Sequence, residues 1–325
     1  MDRRFFILLL IWALVAVVSL GLGRYHIGLG DLLATIFGRG SDDVMRNVLF
    51  NIRIPRVLIS SICGGALAIA GVCLQGLFRS PLVDAKIIGV STGAAFGGCV
   101  AILLGFAGSA LVGFAFGFGL LALGLLYVIA GFVRDRSIFT LVLAGIVING
   151  FFAALISLVQ YLADNEETLP NIVFWLLGSF VNANYARLGL VAAVAIPCIV
   201  LLFAMRWNLN LLSLDENDLR TMGVRVGLIR TLILLTCTLL IATQVAVSGN
   251  IGWVGLVVPH MARLLSGADH LRSVPCTFII GMIFMLIVDD VARVATASEI
   301  PLGILCALIG TPVFAILLKR SARAA

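Results

Sequence analysis

The sequence predicts an all-α polytopic membrane protein with ten transmembrane helices and a half-helix after the fifth. Three observations carry that reading. The 325-residue chain is 62% hydrophobic and only 12% charged, whereas a soluble domain carries about 25% charged residues. The charges also avoid the apolar stretches. The windows 5–23, 57–78, 87–106, 110–133, 138–160, 188–205, 231–248, 251–266, 276–296 and 300–318 contain only Arg263, Asp289, Asp290 and Arg293 as charged residues; random scatter would place about 23 there, and each charge at a helix centre costs about 2.5–3.5 kcal/mol. Finally, the runs are continuously apolar and do not alternate, which selects helices over a barrel. A soluble globule, a disordered chain, a secreted disulfide scaffold and a nucleic-acid-binding domain are excluded together.

The first apolar run follows M-D-R-R, as a signal peptide would, but it is long for one. No small-x-small cleavage motif follows it, so an uncleaved first span is expected. In the third window Gly89, Gly93 and Gly97 recur every four residues, and Gly113, Gly117, Gly124 and Gly131 stripe the fourth. Small residues on one face let backbones approach, so helices three and four are expected to be neighbours. The segment 170–180 is apolar but too short to cross about 30 Å of hydrocarbon; it reads as a half-helix dipping into the membrane or lying on it. Residues 231–266 would run about 54 Å as one helix. The turn Ser248-Gly249-Asn250 divides them into two crossings, the second short and broken at Pro259.

Ten spans put both termini on one side, and the excess of basic residues on that side makes it cytoplasmic. The net charge of +6 is therefore a topology signal. All seven cysteines fall inside the windows without a C-x-x-C pair, so they read as small core residues. G-x-x-x-x-G-K-[ST] is absent, and the only lysines are Lys86 and Lys319. His26, His260 and His270 lack metal-ligand spacing, and neither H-E-x-x-H nor G-x-S-x-G occurs. No nucleotide hydrolysis and no catalytic constellation can be assigned to the chain, so the residues speak against an enzyme.

Two polar features remain. Asp289 and Asp290 stand four and three residues before Arg293, within reach along one helix. An intramembrane charge cluster is either functional or a self-neutralised helix end. In the loop 206–230, Ser213-Leu214-Asp215-Glu216 reads as a capping box with Ser213 as N-cap, and Gly223 as the C′ stop. The short helix between them, with Leu214, Leu219 and Met222 as apolar positions, is either a plain loop helix or a docking helix for a cytoplasmic partner.

A series of motifs resembles the FecCD-type permeases, the transmembrane subunits of type II ABC importers for iron-siderophores, haem and cobalamin. They are R-I-P-R at 53–56, G-G-A-L-A-I-A-G at 64–71, L-Q-G-L-F-R-S-P-L at 74–82, I-G-V-S-T-G-A at 88–94, L-V-L-A-G at 141–145 and F-W-L-L-G-S-F at 174–180. G-N-I-G-W-V-G-L-V-V-P-H at 249–260, D-D-V-A-R at 289–293, E-I-P-L-G at 299–303 and G-T-P-V-F at 310–314 complete the series. Each is weak alone; their order and spacing make the resemblance specific over nearly the whole chain.

The resemblance implies a non-catalytic transport subunit with a single permease domain over 1–325, and spans 2–5 and 7–10 as inverted repeats. It implies a second permease copy or sister chain, two cytoplasmic ATPase subunits that hold the ATP and Mg, and a periplasmic substrate-binding protein, in a bacterial inner membrane. No cofactor is expected on this chain. Arg53, Arg56 and Arg293 would meet carboxylates of the binding protein. Ser213, Asp215, Glu216, Asp218, Arg220 and Gly223 would couple to the ATPase, although Met222-Gly223-Val224 departs from the usual L-G-V. The path would be lined by spans five and ten and the half-helix, gated around Ser137 to Thr140, with Asn149, Ser157 and Gln160 on its wall. An iron chelate or haem is the first expected cargo, cobalamin or a molybdate-type oxyanion the alternative. A proton-coupled secondary transporter is the rival class.

Overall fold

The computed structural model describes residues 3–23, 25, 27–36, 43–132, 138–296 and 298–324. They form fifteen α-helices: α1 (Arg3–Gly21), α2 (Leu29–Ile36), α3 (Asp43–Asn47), α4 (Ile54–Leu77), α5 (Val90–Leu103), α6 (Gly108–Phe132), α7 (Ile138–Leu162), α8 (Thr168–Leu177), α9 (Tyr185–Ala204), α10 (Arg206–Leu211), α11 (Glu216–Thr221), α12 (Val226–Ser248), α13 (Val254–Ser266), α14 (His270–Val294) and α15 (Leu302–Ala324). A π-helical turn, Val48–Arg53, joins α3 to α4, and a 3-10 turn, Ala85–Ile88, precedes α5. Each of the ten apolar windows carries one helix. Seven helical stretches are long and apolar enough to cross a bilayer, while α5 and α13 have only 14 and 13 residues.

α4 is the central helix, buried along nearly its whole length. It packs antiparallel on α14 with backbones in contact: a Cβ on Gly64 would stand 2.4 Å from the Gly281 carbonyl oxygen, and one on Gly281 would stand 2.4 Å from Ala68 Cβ. Such approaches are open only to glycine. Farther along the same face α4 packs on α13. There Pro259 lies inside the helix, which continues through it without the expected break. The proline lacks the N–H that would bond the carbonyl four residues earlier, and α4 supplies the replacement: Gln75 Nε2 donates to the Gly255 carbonyl at 3.2 Å. Gly71 makes room, since a Cβ there would sit 2.1 Å from that oxygen.

The helix pairings of α4–α6 recur in α12–α14. α4 packs on α14 and α13 as α12 packs on α6 and α5, and α5 packs on α6 as α13 packs on α14. Helices three and four of the sequence reading, α5 and α6, are neighbours as expected, through Gly93 and Gly97 against Phe114, Phe118 and Ala122. The glycine stripe on α6 is a correction: Gly113, Gly117, Gly124 and Gly131 face open space, and Gly119 is the glycine that packs inward, on Ala94 and Ala242. Gly89 caps the 3-10 turn at φ +79° instead of joining the α5 stripe.

Candidate functional site

The 24 residues of α4 span about 36 Å and connect two polar regions. At its first turn Arg56 is buried, and its guanidinium grips two carboxylates. Nη1 and Nη2 each donate to Glu299 at 2.8 Å, Nη2 donates to Asp289 Oδ1 at 2.8 Å, and Nε donates to Asp289 Oδ2 at 3.0 Å. The last turn of α14 adds Arg293, whose Nε lies 3.3 Å from Asp289 Oδ2 and whose Nη2 pairs with Asp290. Ser19 of α1 closes the group, donating to Asp290 at 2.7 Å and accepting from Arg293 at 2.8 Å. Arg53 is also buried, donating to the carbonyls of Leu20 and Tyr25. Arg53, Arg56 and Arg293 thus direct their forks into the chain, and opposite charges compensate one another where a lone buried ion would be costly. The same arginines line a cavity of about 620 Å³ with Tyr25, Glu299 and Pro301 and with Phe174 and Gly178 from the α8 region.

At the far end of α4, Arg79 donates to the carbonyls of Leu212 (2.8 Å) and Leu214, fastening the loop 206–230. Asn210 bridges that loop to α14, donating to Asp269 at 2.7 Å and accepting from the His270 N–H at 2.9 Å. Asp269 caps α14 through the Leu271 N–H at 3.0 Å. The Asn210 hydrogen bond, with that N–H, holds the Asp269 carboxyl below its ordinary range. The capping box is corrected here. Ser213 lies in the turn that ends α10, its N–H bonded to the Asn210 carbonyl, and Asp215 occupies the N-cap position, its carbonyl accepting from Leu219. Helix α11 therefore has only six residues. Its stop is as expected: Gly223 adopts φ +73°, and the Val224 N–H returns to the Leu219 carbonyl at 3.0 Å. Leu219 is buried, while Leu214, Asp218 and Met222 are exposed around it. Glu216 and Arg220 lie on the backbone of α11, their side chains outside the described residues.

The arrangement is shared with known proteins. The sequence matches the FecCD transport family over residues 8–320. The chain belongs to that family. Curated FecCD relatives include the molybdate import system permease protein MolB of Haemophilus influenzae, 44% identical over 97% of this chain and 95% of its own. The hemin transport system permease protein HmuU of Yersinia pestis is 34% identical over 96% of both chains, and the vitamin B12 import system permease protein BtuC of Salmonella typhi is 34% identical over 95% and 93%. A solved structure described as an inward-facing conformation of a metal-chelate type ABC transporter superposes with a TM-score of 0.91 at 42% identity, covering 98% of this chain and all of its own. The chain is accordingly an ABC importer permease, a multi-pass transport component.

Within this FecCD fold the residues expected along a path are dispersed on α7. Asn149 accepts from the Thr92 hydroxyl of α5, and Ser157 donates back to the Ala153 carbonyl at 3.1 Å from an exposed position. Thr140 is buried and Gln160 half-buried; Ser137 lies outside the described residues. Two members of the arginine cluster were not singled out from sequence. Glu299 lay in a quoted motif but carries no local periodicity, and Ser19 lies 271 residues from the Asp290 carboxylate it meets.

Proposed function

We propose that this permease imports a molybdate-type oxyanion across a bacterial inner membrane, driven by ATP hydrolysed on separate subunits. The observation that carries the cargo is the near-complete match to a molybdate permease at 44% identity, against 34% for the haem and vitamin B12 permeases. The iron-chelate reading favoured by sequence becomes the alternative. Ten crossings with both termini in the cytoplasm place the arginine end of α4 at the periplasm. A substrate-binding protein docks there, its carboxylates drawn to the mouth of the cavity by the positive charge of Arg53, Arg56 and Arg293 that line it. At the cytoplasmic end the exposed Leu214, Asp215, Asp218 and Met222 offer an ATPase a compact surface anchored by Leu219 and stopped at Gly223. A second permease copy, or a sister chain, completes the path between α7, α15 and α8.

ATP-dependent uptake into proteoliposomes tests this reading. The vesicles contain the permease with its ATPase, the binding protein stands outside, and molybdate is offered beside an iron-siderophore, haem and cobalamin. Uptake of molybdate ahead of the others is expected. Transport of an iron chelate with no molybdate would overturn the cargo, and uptake without ATP would overturn the class.

A further inference from the structure

Of the two lysines in the sequence, Lys86 stands on a turn packed part-way along α7 and not at its end. Its 3-10 turn, Ala85–Ile88, is wedged against α7: a Cβ on Gly145 would stand 2.0 Å from the Ile87 carbonyl oxygen, and one on Gly89 would meet Ile148 and the Asn149 nitrogen. Gly145 and Asn149 lie about 10–16 Å along α7 from its cytoplasmic start. A second ruler agrees. The Lys86 ammonium rests on Gly252, with Nζ 3.2 Å from where a Cβ would stand. Gly252 precedes α13, whose 13 residues descend about 20 Å to the cytoplasmic end. The side chain is therefore laid against the deep end of α13 and does not extend to the interface.

Lys86 is nevertheless exposed on the surface of the single chain. Among the described residues no carboxylate stands within ion-pair distance of it. Asp84 feels the Lys86 charge from beyond that distance, and its carboxylate is taken up by the N–H groups of Ala85 and Trp253. An ammonium facing hydrocarbon at this depth costs about 2.5–3.5 kcal/mol, so intramembrane lysines face water or partners. Around it are neutral polar groups: Asn250 accepting from Ser91 at 2.9 Å, and Asn149 accepting from Thr92. The segments packed about the 3-10 turn thus carry polar groups, at a depth where the exposed face of α7 presents Leu143, Ile146 and Val147.

We propose that Lys86 is an anion contact inside the translocation pathway, its ammonium binding the oxyanion briefly as the cargo crosses the middle of the membrane. This rests on the oxyanion reading above and adds to it a site of recognition within the permease. The lysine supplies charge without a fixed fork, so it can release a tetrahedral anion that a bidentate site would retain.

Two measurements test it in the reconstituted complex. Lys86→Met should lower initial molybdate uptake about tenfold, and Lys86→Arg, which keeps the charge but adds a fork that holds the anion, should fall between wild type and Lys86→Met; size-exclusion profiles and co-purification with the ATPase check assembly. Lys86→Cys should react with a charged, lipid-insoluble thiol reagent, whereas Leu10→Cys, on the exposed face of α1, should not. Wild-type uptake by Lys86→Met, or failure of the Lys86→Cys variant to react, overturns the inference and leaves the oxyanion reading standing. Wild-type vesicles that refuse molybdate overturn the oxyanion reading, and the anion contact with it.

Discussion

Replacing Arg56 with methionine keeps most of the side chain's volume and removes its fork. Asp289, with a fully buried side chain, would retain one cation, the Arg293 Nε at 3.3 Å, in place of two. Glu299, whose side chain is 24% exposed, would keep partial access to water. Removing one partner of a buried ion pair costs about 3–5 kcal/mol, chiefly because the other charge is stranded. Arg56→Met should therefore lose about 3–5 kcal/mol, most of it through Asp289. Asp289→Asn alone should lose a comparable amount. The double variant strands no fully buried charge, so it should cost less than the sum by about 2–3 kcal/mol. Arg56→Lys retains the charge but cannot satisfy two carboxylates bidentately, and should lie in between. Detergent-titrated unfolding in mixed micelles, followed by tryptophan fluorescence, measures all four. Additivity of the two single losses to within about 0.5 kcal/mol would refute the reasoning.

Two further outcomes follow from the packing and the cap. Gly71→Ala should lower stability by about 1–3 kcal/mol, because its Cβ would strike the Gly255 carbonyl, while Gly113→Ala should be neutral or slightly stabilising, as its Cβ meets open space; thermal aggregation of the purified permease separates them. Asp269 titrates below its ordinary range in the folded chain. Its contribution is therefore present above the unfolded value of about 3.9 and is lost as pH falls through the folded one. Hydrogen exchange across 206–214 should accelerate in that acid window for wild type, and Asp269→Asn should remove the acid-dependent step.

The helical plan was legible because bilayer solvation imposes it directly. Exclusion of charge located one helix in each of the ten windows, the turn at Ser248-Gly249-Asn250 separated α12 from α13, and the shortness of 170–180 identified α8, which ends at Gly178 with φ +78°. What failed to show was tertiary. Pro259 reads as a break until Gln75, 180 residues away from Gly255 in sequence, supplies the missing donor. A four-residue glycine spacing marks a face but not which neighbour it meets, so the α5 stripe was placed and the α6 stripe was not. Ser213 and Asp215 are both good N-cap residues, and the tertiary hold of Arg79 on Leu212 and Leu214 favours the later start. Asp289, Asp290 and Arg293 were visible as a local set, but the fork from Arg56 to Asp289 and Glu299 required the meeting of three chain segments.

The glycine seam between α4 and α14 has a mechanical consequence. With Gly64 and Gly281 in backbone contact, and Phe278 and Met282 packed on Gly65, the two helices are close-packed, and interiors of this kind yield little under load. The pair is a strut. One end is tied to the loop 206–214 by Arg79 and Asn210, and the other is riveted by Arg56 to the entrance of α15. A displacement imposed on the loop helix arrives at the arginine end, about 36 Å away, as motion of a solid body, and compliance is left to the short helices and turns that flank it.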